Sequence, residues 1–287
     1  MLASFILLMK PGIVAAVLLA GFTGMVMAQR GWPDAWTCLI CLACLFLSAA
    51  GSAILNCLFD APLDALMTRS RTRVEAMEKV GKGNLLAMAM AGITASLLLA
   101  ILCFDTFVFI LILAAVISYA FLYTLHLKRR SPWGTVVGGI PGALPVLIGY
   151  AAAAHTLRLD AIILFTVMLL WQPPHFWALA LEYHSDYRAA GIPVLPVIYG
   201  ERYTKILIFI YAIAILPVSL SLWLFGFCSA WYAVCAIVCG AVFLTANFLF
   251  IIRRERFNLA FRASIVYLTM LFMAIVIDIC FFRGALS

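Results

Sequence analysis

Asn56, Asp60 and Asp64 follow one another at intervals of four, at the end of an apolar run. On a helix this spacing puts all three side chains on one face. Two carboxylates one turn apart repel, so the arrangement is costly without a counter-ion. Hard divalent ions such as Mg2+ suit carboxylate oxygens and are often completed by substrate phosphates. Arg69, Arg71 and Arg73 come next, and the planar fork of a guanidinium matches phosphate oxygens. These are the parts of a site for a magnesium diphosphate. The competing reading is an ordinary helix end, with Asp at a membrane boundary, Arg in a loop, and Pro62 kinking the chain.

The pattern recurs. Glu182 and Asp186 lie four apart at the end of another long apolar segment, with Tyr183, Tyr187 and Arg188 beside them. A second metal site facing the first is the expectation, with Asp60, Asp64, Glu182 and Asp186 as candidate ligands. A bound ion would offset the repulsion within each pair. His175 stands seven residues before Glu182, about two helical turns, and could share the inward face. It is either a histidine hydrogen-bonded within the bundle or a contact to an acceptor substrate such as haem. Pro173 and Pro174 predict a kinked helix of the kind tolerated where it lines a cavity. Lys128, Arg129 and Arg130 anchor topology, reach a diphosphate, or do both, because long basic side chains snorkel. Gly138, Gly139, Gly142 and Gly149 let helices approach closely, and Gly138 with Gly142 forms a small-xxx-small pair. This glycine-rich stretch follows no strand and lacks the Lys-Ser/Thr ending of a phosphate-binding loop.

The elements that must carry these residues are membrane helices. The chain has 287 residues, 67% hydrophobic and 11% charged, with a mean hydropathy of +1.14. Soluble chains carry roughly 25% charge. Long, repeated apolar runs predict an all-α integral membrane protein, read as one domain over 1–287. Nine spans are expected, at 11–28, 36–55, 84–104, 106–125, 134–154, 160–182, 206–224, 229–252 and 262–282. A formal charge of +7 could suggest nucleic acid. That partner is excluded because the basic residues sit in short loops between apolar segments, which is a topology signal.

The loops after spans 2, 4, 6 and 8 hold 15 of the 19 basic residues, among them Arg253, Arg254, Arg256 and Arg262, and Lys10 falls on the same side. The positive-inside rule then places the N-terminus in the cytoplasm and, with an odd number of spans, the C-terminus outside. The start, MLASFILLMKPG, lacks the charged region and cleavage site of a signal peptide and is read as part of the mature chain. With no organelle-targeting segment, the expected location is a bacterial inner membrane. Cys38, Cys41 and Cys44 have a spacing like an iron–sulfur run. They fall in one apolar helix, so they read as small packing residues.

These stretches resemble the UbiA-type membrane prenyltransferases, most closely their haem-modifying branch. The resemblance begins at Lys10-Pro11-Gly12 and continues through Asn56-x3-Asp60-x3-Asp64, with Met67 and the arginines that follow. It then covers YTLHLKRRSPWG, GGIPGALPVLIGY, WQPPHFWALAL and DYRAAGIPVLPVIYG, the last two separating the haem branch from quinone and chlorophyll branches. Two departures are Ala61-Pro62, where the family often has a basic residue, and Val74, where a Pro is common.

The resemblance implies a bundle of nine transmembrane helices around a cavity. It implies Mg2+ and prenyl diphosphate at Asn56, Asp60 and Asp64, and a second site at Asp186 with Glu182. The implied reaction moves a farnesyl group from farnesyl diphosphate to a vinyl group of haem B, in the lipid bilayer, on a route toward a haem A synthase or a terminal oxidase assembly pathway. A UbiA-type enzyme for an aromatic quinone precursor would keep both acidic sites and lose haem specificity. A polytopic transporter would use inward carboxylates nearer the midplane. A haem-insertion factor would need His175 but not four carboxylates.

Overall fold

The computed structural model describes residues 2–252 and 257–283, with the backbone alone at 257, 258 and 283. Arg253, Arg254 and Arg256, counted above in the loop after span 8, lie outside the described residues. The described residues form helices and connecting turns. In chain order these are α1 (Leu2–Leu8), α2 (Pro11–Gln29), α3 (Ala35–Asp64), α4 (Arg71–Val80), α5 (Lys82–Cys103), α6 (Thr106–Ile117), the short turn α7 (Lys128–Arg130), α8 (Gly134–Val137), α9 (Ile140–Ala154), α10 (Leu159–Glu182), α11 (His184–Ala189), α12 (Leu195–Leu224), α13 (Ala230–Ile252) and α14 (Phe257–Ile277). A π-helical stretch, Ser118–Leu127, joins α6 to α7.

Nine segments among the described residues are long and apolar enough to cross a membrane. They close into a ring. Counting α6 with its π extension, each span packs on its neighbour in sequence, from α2 and α3 round through α5, α6, α9, α10, α12 and α13 to α14, and α14 returns to α2. Further packings cross the ring, the most extensive being α2 on α9 and α10 on α14, and α6 with its π extension also meets α3. A helix satisfies most of its backbone polar groups internally, which is what a bilayer demands. The protein is a polytopic α-helical membrane protein.

Between apolar helices in lipid there is little hydrophobic drive, so close packing and interhelical hydrogen bonds hold the ring. The tightest approach is between α2 and α9. A Cβ added at Gly149 would collide with the Gly21 carbonyl, and one at Gly24 with the Val146 carbonyl. Gly138 and Gly142 do not make the single close helix pair their spacing suggests. Gly138 faces Tyr123 and Gly142 faces Gln172, on two different segments. Ser96 adds a bond from α5 to the Cys44 carbonyl of α3 at 2.7 Å. Cys41 and Cys44 are fully buried among apolar side chains, and the described cysteines are unbridged.

The turn between α5 and α6 is marked by Asp105, as its lone charge predicts. Its carboxylate accepts from the Val108 amide at 2.9 Å, capping α6. Asp34 caps α3 in the same way through Thr37 at 2.9 Å. Two boundaries differ most from the expected ones. Span 2 was expected to stop at 55, but α3 runs on to Asp64. Pro62 lies in its last turn and does not end it, because only the Leu58 carbonyl one turn back loses a donor there. The next carbonyl, Phe59 O, accepts from Arg129 at 2.7 Å. Span 7 was expected from 206, but α12 begins at Leu195 and bends at Gly200, whose φ of 81° only glycine adopts without strain.

Candidate active site

The extension of α3 carries Asn56, Asp60 and Asp64 on one buried face, each less than 5% exposed. Buried carboxylates need partners, and two other elements supply them. Lys128 of α7 donates to Asp60 Oδ2 at 2.5 Å. Arg129 lies 3.7 Å from Asp60 Oδ1. Arg73 of α4 donates to Asp64 Oδ2 at 2.9 Å. The repulsion that the sequence led us to expect between the two carboxylates is thus offset by fixed cations brought in from other helices. Burial works against the Arg73 charge, and Asp64 more than restores it, leaving its pKa above the ordinary value.

Asn56 is the hub. Its Nδ2 donates to Asp60 Oδ2 at 3.0 Å and to Thr124 Oγ1 at 3.0 Å. Its Oδ1 accepts from the ammonium of Lys10, which sits between α1 and α2. Burial lowers the Lys10 pKa from its ordinary value. α1 and α4 pack together beneath this corner, and Leu8 of α1 is fully buried.

The second acidic stretch meets the first. The Arg69 amide donates to Asp186 Oδ2 at 3.0 Å, and its guanidinium donates to the Tyr187 hydroxyl at 2.7 Å. The guanidinium carbon lies 4.9 Å from the ring centre of Tyr183 and 4.6 Å from that of Tyr187. Burial pushes the Tyr187 phenol up, while Arg69 opposes the shift. Glu182 and Asp186 are not a pair on one helix. α10 ends at Glu182, and Tyr183 (φ −105°, ψ 31°) turns the chain into α11, so their side chains leave from different helices. Glu182 makes no ion pair among the described residues. Arg71 and Arg130 are exposed. Arg188 is exposed as well and donates to His184 at 3.3 Å.

His175 is held in the α10–α14 packing. Its Nδ1 is 2.7 Å from Ser264 Oγ. Its ring lies between Trp171, at 4.4 Å, and Phe261, at 4.6 Å, both nearly parallel to it. Trp171 Nε1 donates to the Ser264 carbonyl at 2.7 Å. The hydrogen-bonded reading of His175 is therefore correct for Nδ1, and Nε2 has no hydrogen-bond partner among the described residues.

Sequence reasoning missed Thr124 altogether and saw Lys10 only as a topology and motif residue. Lys10 had a signal: a lone cation just before a span. Thr124 had none, because one threonine in an apolar helix is unremarkable.

No group of three or more His, Cys, Asp or Glu among the described residues could hold a metal ion by itself. The donors present still fit Mg2+, which is commonly bound by one or two carboxylates and completed by substrate phosphates. Asp60 Oδ1 is buried with no hydrogen-bond partner, and so are Arg69 Nε and Arg129 Nε. These leave one oxygen for a cation and two N–H groups for an anion.

The chain matches the UbiA prenyltransferase family over residues 17–276. It is 50% identical over 256 residues to a protoheme IX farnesyltransferase from Geotalea uraniireducens, covering 89% of this chain and 99% of that one. It is 40% identical over 280 residues to a protoheme IX farnesyltransferase from Aquifex aeolicus, covering 96% and 94%. Among solved structures, a digeranylgeranylglyceryl phosphate synthase shares the fold at a TM-score of 0.77 and 17% identity, over 97% of this chain and 98% of that one. A UbiA homologue from Archaeoglobus fulgidus bound to GPP and Mg2+ does so at a TM-score of 0.63 and 13% identity, over 95% and 99%. A family match over residues 17–276, half-identity along nearly the whole of one relative and a fold shared with those structures lead to a single assignment: the chain belongs to the UbiA prenyltransferase family.

Proposed function

We propose that this protein transfers the farnesyl group of farnesyl diphosphate to a vinyl group of haem B, with addition of water, releasing haem O and diphosphate. The observation that carries the acceptor is the 50% identity to a protoheme IX farnesyltransferase across 99% of its length. The geometry supports the donor half. Asp60 and Asp64 share one face of α3, with Lys128, Arg129 and Arg73 around them and Asp60 Oδ1, though near Arg129, left without a hydrogen bond.

Asp60 and Asp64, with Asp186 and Glu182 from the second acidic stretch, are the residues that would hold Mg2+, and Asn56 orients Asp60 among them. When bound, the ion neutralises charge growing on the departing diphosphate. Lys128, Arg129, Arg69 and Arg73 act on the same charge with N–H donors already in place, so little reorganisation is needed as the allylic C–O bond breaks. Arg71, Arg130 and Arg188 lie at the same end and would attract the anion before it docks. The electron pair of the broken bond leaves with the diphosphate. The haem vinyl attacks the allylic cation as a carbon nucleophile, water captures the new cation beside the ring, and one proton is released. The apolar helices of the bundle would keep other water away from the first cation. His175, with Nε2 unpaired and its ring clamped by Trp171 and Phe261, orients the haem.

Residues 1–287 act as one domain, a reading supported by the closed ring. Lys10, Arg69, Arg73, Lys128 and Arg129 gather at one end of the bundle. This supports a multi-pass bacterial inner-membrane protein with that end and the N-terminus in the cytoplasm. A haem A synthase or a terminal oxidase assembly pathway would take up the product.

The test is a reaction of purified, detergent-solubilised protein with haem B, farnesyl diphosphate and Mg2+, read by mass spectrometry. Haem O that vanishes with EDTA is the expected result. Farnesylation of a quinone precursor with no haem O would move the protein to the sister branch.

A further inference from the structure

The π-helical stretch Ser118–Leu127 packs on α3 beside the carboxylates. Such stretches recur at functional sites. In an α-helix a threonine hydroxyl bonds the carbonyl three or four residues back. Here the wider turn lets Thr124 Oγ1 donate to the Tyr119 carbonyl, five residues back, at 2.8 Å. With its single proton spent there, the hydroxyl has only lone pairs to offer toward α3. It accepts from Asn56 Nδ2, and Thr124 itself is fully buried.

That contact, together with Lys10 and Asp60, fixes which way the Asn56 amide points. An asparagine amide has an oxygen that only accepts and a nitrogen that only donates. Oδ1 faces the Lys10 ammonium, which only donates; Nδ2 faces Thr124 Oγ1 and Asp60 Oδ2, which both accept. A flipped amide would set donor against donor at Lys10 and oxygen against oxygen at Thr124 and Asp60. In the observed orientation Asp60 Oδ2 is occupied by Asn56 and Lys128, and Oδ1 is the oxygen left without a hydrogen bond.

We propose that Thr124 is a positioning residue: through Asn56 it turns Asp60 so that one defined carboxylate oxygen meets the cation that accompanies the prenyl diphosphate. This rests on the diphosphate reading of the site given above. Thr124 touches neither cation nor substrate and acts only through the Asn56 amide.

The experiment measures binding of farnesyl thiodiphosphate, a slow-reacting analogue, to the full-length solubilised protein without haem while Mg2+ is titrated. Thr124→Val should need about 10-fold more Mg2+ for half-saturation, the scale of one lost buried hydrogen bond. Thr124→Ser should recover most of that loss. On an Asn56→Ala background, adding Thr124→Val should cost nothing further, because the path through Asn56 is already cut. A Thr124→Val protein that binds like the unmodified one, or losses that add in the double variant, would overturn the proposal. Should Thr124→Val yield no folded protein, the same cycle is run with Thr124→Ala, and losses that add with Asn56→Ala overturn the proposal equally. If the unmodified protein binds the analogue but makes no haem O, the haem reading fails while the cycle still reports on Thr124. If it does not bind the analogue with Mg2+ at all, both fail.

Discussion

The backbone amide of Arg69 donates to the carboxylate of Asp186 at 3.0 Å, joining positions 117 residues apart. This single bond, backed by the Arg69 side chain on Tyr187, ties the stretch after α3 to α11. Two residues expected to face a metal diphosphate are thereby also what holds the two acidic stretches together. Hydrogen bonds to a charged acceptor are worth roughly 1.5–3 kcal/mol. Asp186→Ala should speed hydrogen exchange at the Arg69 amide by about 10-fold or more. Asp186→Asn keeps an acceptor oxygen and should change it far less. Equal exchange in both variants would show that the bond does not persist in solution.

Asp60→Asn should abolish turnover and also lower stability. Relief of carboxylate repulsion would predict the opposite sign. The structure decides between them, because Asp60 already has Lys128 at 2.5 Å. Removing its charge strands a largely buried ammonium, and breaking a buried pair in this way costs about 3 kcal/mol. Thermal unfolding of the solubilised variant reads the sign directly, and a raised melting temperature would refute the argument. Asp60→Asn combined with Lys128→Met should recover stability without recovering activity.

Gly149→Ala tests the α2–α9 contact. The added methyl meets the Gly21 carbonyl, which is backbone and cannot swing aside. Overpacking of this kind costs about 3 kcal/mol. Gly12→Ala is the control, because nothing lies near its would-be Cβ. A Gly149→Ala protein as stable as the Gly12→Ala protein would show that α2 and α9 are not held this closely.

His175→Ala should raise the KM for haem B by about tenfold, equivalent to roughly 1.4 kcal/mol, with little change in that for farnesyl diphosphate. Its ring is clamped between Trp171 and Phe261, and its hydrogen bond goes to Ser264, not to the Asp60 cluster. Ser264→Ala removes the Nδ1 partner, together with the Ser264 Oγ bond to the Phe261 carbonyl, and should produce a smaller change of the same kind. Equal effects on both substrates would mean that His175 supports the bundle and does not select the acceptor.

By itself, the sequence determined the class of the protein, its nine spans and the face that bears Asn56, Asp60 and Asp64. These follow from local rules: a helix must be about 20 apolar residues long to cross a bilayer, and residues four apart share a helix face. Resemblance in motifs such as WQPPHFWALAL pointed to the acceptor. Tertiary structure alone decided what stands opposite each carboxylate. Lys128 and Asp60 are 68 residues apart, as are Asn56 and Thr124, and Arg69 and Asp186 are 117 apart. No periodicity encodes such pairings, because they arise from the ring that brings α7 and the π stretch against α3. The same holds for the break at Tyr183 and the continuation of α3 through Pro62. Helix propensity argues against a proline in a helix, but one missing donor near the end of a 30-residue helix is outweighed by the contacts that helix makes.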